Sequence, residues 1–201
     1  MLVHPDLPTV SDDDTNLKWD SVLFKHKQIY QHKIMKISYT TYDVRRDEDI
    51  IHVGTSHCNI MLLKPDCSEQ EHNRFYYVRV LGIFHTYVMY IGEGTSDFWP
   101  WRLDFLWVRW YDIDTMSAAV YGGLVNCVRF PPMADEGSFG FIDPDDVLRG
   151  SHIIPFYSYG RVHPDGIGMS HWAQDAHDWK IYYVNRWVDL FIVKTLVNAI
   201  Y

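Results

Sequence analysis

Two long alternating stretches limit what this chain can fold into. Residues 74–91 read RFYYVRVLGIFHTYVMYI, and residues 103–112 read LDFLWVRWYD. Side chains on a strand point to opposite faces in turn, so a two-residue rhythm of branched and aromatic residues predicts strands. In the first stretch Val78 and Val80 face one way, and Tyr77, Arg79 and Leu81 face the other. In the second, Leu103, Phe105, Trp107, Arg109 and Tyr111 share one side, and Asp104, Leu106, Val108 and Trp110 share the other. Neither side of the second strand is wholly polar, which predicts cover on both faces. Arg109 is expected to lay its stem on apolar surface and keep its head in water. Gly82 interrupts the first run and predicts a bulge or bend.

The rest of the chain has the same character. Residues 33–44, 57–64, 118–130, 139–142, 151–159 and 179–184 read as further strands, with Gly122-Gly123 as a turn. The charged RRDED (45–49) reads as a turn, KPDCSEQEHN (64–73) as a polar loop and 161–178 as a long irregular loop. DPDDVLRG (143–150) predicts one helical turn, capped by Asp143, with Pro144 first and Gly150 at its end. The expected organisation is an N-terminal arm over 1–32, one β domain over 33–185, and a tail over 186–201. In the tail, Trp187, Leu190, Phe191 and Lys194 fall at helical spacing. Aromatic residues make up 16% of the 201, which favours strands and large stiff core pieces. The predicted fold is therefore mainly β: a small bent antiparallel barrel with short helical turns and a possible C-terminal helix.

Charge and cysteine usage exclude several classes. The net charge is −8, so no global field attracts a phosphate backbone. Basic protein segments suit such a surface better, and nucleic acid is left with a local patch drawn from Arg45, Arg46, Arg102 and Arg109. Three widely spaced cysteines make neither a disulfide framework nor a metal knuckle, which fits a reducing interior, nuclear or cytoplasmic. The first residues lack the basic start and apolar run of a signal peptide, and no apolar run reaches the length of a membrane span.

Two constellations carry chemistry on paper. His163, His171 and His177 share a loop with Asp165, and His163 and Asp165 form a His-x-Asp pair like part of a two-His-one-carboxylate metal site. No strand-borne second His marks itself, so ordinary loop histidines are the plainer reading. The second constellation is DFWPW. Phe98, Trp99 and Trp101 stand at a hairpin tip beside Asp97 and Asp104, and aromatic faces beside acids hold cationic groups such as methyl-lysine. The plainer reading is that Trp99 and Trp101 fold back as a lid over the barrel end, since large aromatics are usually buried for their area. Cys127 lacks the local signature of a nucleophile and reads as a buried thiol. No catalytic residue and no cofactor is expected.

Five blocks together resemble a family: TTYDVRRDED, YYVRVLGIFHTYVMYIG, RLDFLWVRWYD, RFPPMADEGSFGFIDPDDVLRGSHIIPFYSYG and DWKIYYVNRWVD. They are similar to the C-terminal regions of transposon-encoded proteins of mushroom-forming fungi, of the Plavaka type within the CACTA-like group. The resemblance runs from about Tyr39 to Asp189 and implies a mobile-element origin. It supplies no transposase, because the acidic triad of such an enzyme is not visible. The stretch after Asn185 departs from the family pattern, which continues with more charge. A looser analogy, at the level of fold, is to the BAH domains of chromatin proteins. The expected function is a non-catalytic protein-interaction module, of the chromatin-reader kind. The alternatives are a metal-dependent enzyme using the 161–178 loop and a DNA-binding accessory domain of a transposase.

Overall fold

The computed structural model describes residues 21–40, 46–64, 74–92, 98–114 and 126–185. Within them run twelve strands: β1 (Val22–His32), β2 (Ile34–Thr40), β3 (Arg46–His52), β4 (Asn59–Leu63), β5 (Phe75–Tyr90), β6 (Trp101–Trp110), β7 (Asp112–Ile113), β8 (Asn126–Arg129), β9 (Phe139–Ile142), β10 (Val147–Gly150), β11 (Ile153–Pro155) and β12 (Tyr182–Val184). Single 3-10 turns, η1 (Pro144–Asp146) and η2 (Tyr157–Tyr159), precede β10 and follow β11. The protein is mainly β, as the alternation predicts, and its strand pairings are antiparallel.

Strand β5 organises the largest sheet, whose order is β10-β4-β5-β6-β9. Along one edge, residues 75–79 pair with β4 and residues 83–90 pair with β1. The opposite edge pairs with β6 from Val78 to Val88. The register slips between Val80 and Gly82, so the predicted bulge is present. That extra residue reverses the alternation, and Val78, Val80 and Ile83 therefore all enter the same core.

Both faces of this sheet are covered where β4, β5 and β6 overlap. On one face Val78, Val80, Leu106 and Val108 are fully buried with Ile60, Ile142 and Ile51, and the β2–β3 hairpin packs Met35 and Ile37 against them. On the other face Met61, Tyr77 and Tyr111 meet Val128, Tyr182 and Val184 of a second sheet, ordered β11-β12-β8-β7. The expected two-sided cover thus comes from a hairpin on one side and a small sheet on the other.

The sheet is open. Its outer strands, β9 and β10, do not pair with each other among the described residues, so no barrel closes. Other local expectations also change. Residues 22–32, counted with the arm, form β1. Most of RRDED lies in β3, where Lys36 and Glu48 pair across the strands at 2.7 Å. In DPDDVLRG the first half behaves as read: Asp143 accepts the Asp145 N–H at 2.9 Å. Gly150 instead ends a strand, and its N–H donates to Asp49 Oδ2 at 2.9 Å. An added Cβ at Gly150 would meet Ile51 Cδ1 at 3.3 Å, so the residue is small because β3 approaches closely. The 1–20 leader, the 64–73 loop beyond Lys64, Gly122-Gly123 and the tail helix lie outside the described residues.

Leu106 has no exposed surface and sits at the middle of the first core. Leu106→Ala is expected to lower unfolding free energy by about 2–5 kcal/mol, from lost transfer energy plus the cavity left behind. Urea denaturation followed by tryptophan fluorescence measures this as a lower midpoint with an unchanged slope.

Candidate functional site

The most unusual chemistry is buried. Arg79 on β5 and Arg109 on β6 are direct cross-strand neighbours, an arrangement that repels. Asp178 lies between them: its Oδ1 accepts from Arg79 Nη1 and its Oδ2 from Arg109 Nη1, both at 2.6 Å. Tyr182 also donates to Asp178 Oδ1 at 3.2 Å, and its oxygen accepts the Trp179 N–H at 2.9 Å. Two guanidiniums against one carboxylate leave a surplus positive charge, and the Phe130 ring lies over both, 4.0 Å from Arg109 Cζ and 4.4 Å from Arg79 Cζ. Arg109 is only 5% exposed, so its head is not in water as the sequence suggested. The reason is a partner 69 residues away, which local periodicity does not reveal. The cluster ties the end of the 161–178 loop to the centre of the sheet.

The loop organises itself around a second buried acid. Asp175 accepts the N–H groups of Met169 at 2.8 Å and Ser170 at 3.0 Å, and pairs with His163 Nε2 at 3.1 Å. Burial pushes its carboxyl up, but the backbone donors and His163 outweigh this and hold it below the ordinary aspartate range. Gly168 is required here: an added Cβ would meet Asp175 Oδ1 at 2.6 Å and the Ala176 backbone nitrogen at 2.7 Å.

The structure does not bring the residues of the metal alternative together. His163 pairs with Asp175, while Asp165 accepts the Ile167 N–H at 3.1 Å as a local turn. His171 and His177 are exposed, and His171 meets the edge of Trp172. Among the described residues no group of three or more His, Cys, Asp or Glu side chains is placed to hold a metal ion. Among the described residues Arg46, Arg102 and Arg109 do not form the arginine patch either. Arg109 is buried, Arg102 is bound to Asp104 and Arg45 lies outside the described residues.

The hairpin tip is where exposed aromatic surface gathers. Trp99 is 81% exposed, Phe98 56% and Trp101 41%, so these rings do not form a closed lid. Asp97 lies outside the described residues. Asp104 does not stand ready for a cation: Arg102 grips both its oxygens at 2.6–3.1 Å.

Below the tip the aromatic surface continues. Trp101, Leu103, Phe105 and Trp107 alternate onto one face of β6. Phe84 stacks on Phe105 at 5.5 Å, and Phe141 meets Phe105 edge-on at 5.8 Å. Trp107 then touches Phe139 at 6.3 Å and Trp172 at 6.5 Å. Phe141 is 60% exposed and Trp172 70%, and Phe84, Phe105, Trp107 and Phe139 are half-buried beside them. Reading one segment at a time missed Phe84, Phe139, Phe141 and Trp172, because the ribbon spans three strands and a loop. The alternation within β6 was the available signal.

Comparison with protein-family models, with curated proteins and with solved structures finds no match to this chain.

Cys58 and Cys127 are free thiols, both buried, and burial pushes each thiol up from its ordinary value. A nucleophilic role for Cys127 needs the opposite shift. A thiol-reactive probe at pH 8, with sites mapped by mass spectrometry, is expected to label both only in denaturant; rapid labelling of Cys127 in native protein would contradict its placement.

Proposed function

We propose that this chain is a non-catalytic protein-interaction module, of mobile-element origin, that holds a partner on the aromatic ribbon from Phe98 and Trp99 to Trp172. The observation that carries this reading is a set of large aromatic rings on three strands and a loop, with Phe98, Trp99, Phe141 and Trp172 exposed and Phe84, Phe105 and Trp107 half-buried among them, backed by a packed core. Exposed apolar patches of this kind mark interaction sites, and Trp is prominent among residues that dominate binding energy. The net charge of −8 favours a partner segment rich in Lys or Arg through long-range attraction. The origin rests on the resemblance of the five sequence blocks, and action inside the cell belongs to the same proposal.

The pairing of Asp104 with Arg102 shapes the reading further. Stacking and burial of apolar stems against the rings supply the contact, and a cage around a single ammonium group is not its basis. A panel of fluorescent Lys/Arg-rich peptides, with unmodified and trimethylated lysine, tests this by polarisation. Binding is expected with little preference for methylation. Trp99→Ala and Trp172→Ala are each expected to weaken binding at least roughly tenfold, about 1.4 kcal/mol. Both side chains are largely exposed, so the melting temperature should stay within roughly 2 °C of the parent. Failure of every peptide to bind, or unchanged affinity in both variants, overturns the proposal.

A further inference from the structure

Strand β1 is joined to the sheet through one neighbour, β5, among the described residues. Its residues from Leu23 to Gln31 are exposed. It joins β5 in two short pieces, Val22–Phe24 against Val88–Tyr90 and Ile29–His32 against Ile83–Thr86. Between them His26 and Lys27 take φ of 57° and 53°, the left-handed region that disfavours L side chains by roughly 1–2 kcal/mol per residue. Such a strand opens locally at little free-energy cost.

The second piece is held by one polar cluster. His32 Nε2 lies 2.6 Å from His85 Nδ1, with the ring planes 24° apart, so the two imidazoles share an in-line hydrogen bond. Tyr30 stacks on His85 at 4.7 Å, and Thr86 Oγ1 donates to the Gln28 carbonyl at 2.8 Å. His85 is nearly buried and His32 partly so. The bond needs one nitrogen carrying a proton and one bare. The pair can be neutral or carry one extra proton. With two it has no acceptor and sets two like charges in contact.

We propose that the His32–His85 pair is a proton-operated latch: taking up its second proton releases the Gln28–His32 piece of β1 and uncovers the β5 edge from Ile83 to Thr86. Tyr30 on β1 and Tyr87 on β5 lie against His85, Arg102 and Asp104 on β6 act on it electrostatically, and Lys25 on β1 lies over the Tyr87 ring. His32, Asp104, Asp143 and Asp145 line one cleft of about 370 Å³. Asp104 has little left to support a second proton, since Arg102 occupies it. Burial, Arg102 and His32 itself together hold the His85 imidazole below its ordinary value.

The sign of the effect follows. An ordinary histidine takes up its proton near about pH 6.5, and once the strand is released nothing limits the pair to a single extra proton. The latched strand takes up one proton fewer. Latching is therefore fully present above about pH 6.5 and is lost as pH falls below it, by up to tenfold in the equilibrium per pH unit.

Hydrogen exchange with mass spectrometry on the full chain at pH 7.5 and 5.0, corrected for intrinsic rates, tests the latch. Protection of peptides spanning 28–32 and 83–86 is expected to fall at least tenfold at the lower pH, while the 59–63 peptide stays protected. His32→Gln retains a hydrogen-bonding side chain without a titrating group and should flatten the pH dependence. His26→Gln, on the same strand but outside the pair, should leave it unchanged. Equal protection at the two pH values in the parent overturns the proposal, as does a His32→Gln response that matches the parent.

Discussion

Two arginines that face each other across adjacent strands cannot both be buried unless an acid is brought between them. Arg79 and Arg109 occupy that position on β5 and β6, and Asp178 supplies one oxygen to each. The repulsion disfavours the pairing at the centre of the sheet until residue 178 arrives. Removing one member of a buried ion cluster strands the others and typically costs about 3–5 kcal/mol. The acid therefore makes a long-range connection a condition of folding. It fixes the start of the stretch leading to β12, and through Tyr182 it joins the second sheet to the first.

The same tether shapes the candidate surface. The loop between Arg161 and Asp178 has little regular structure, and Asp175 holds its turn from within. Its end is fixed at Asp178, so Trp172 is carried to Trp107 and extends the ribbon laid down by β6 and β9. An irregular segment thus contributes a positioned ring to a surface of strands. The outer edge of β1, by contrast, carries Lys25, His26 and Lys27 and a bulge, devices that discourage unwanted strand pairing.

Local rhythm revealed the elements and hid the connections. The antiparallel pairing of 74–91 with 103–111, the bulge at Gly82 and the two-sided cover of β6 were all legible, because each follows from the alternation of side chains. The strand over 22–32 was not, since VLFKHKQIYQH is mostly exposed and mixes charge with apolar residues on both faces. Gly150 misled because glycine ends helices and also allows close strand approach, and only the position of Ile51 distinguishes the two. At the site, the tip residues Phe98, Trp99 and Trp101 were visible as exposed-aromatic candidates. The occupation of Asp104 by Arg102, the divergence of His163 from Asp165 and the role of Asp178 all depend on geometry that spacing does not encode.

Equilibrium unfolding in urea of Asp178→Leu beside Arg79→Met/Arg109→Met/Asp178→Leu tests the central claim most directly. If the acid is needed because it neutralises two buried cations, the single variant loses about 3–5 kcal/mol, and the triple variant, which buries no charge there, regains most of it. A single variant within about 0.5 kcal/mol of the parent, as for an ordinary surface change, would contradict the claim. So would a triple variant as unstable as the single one.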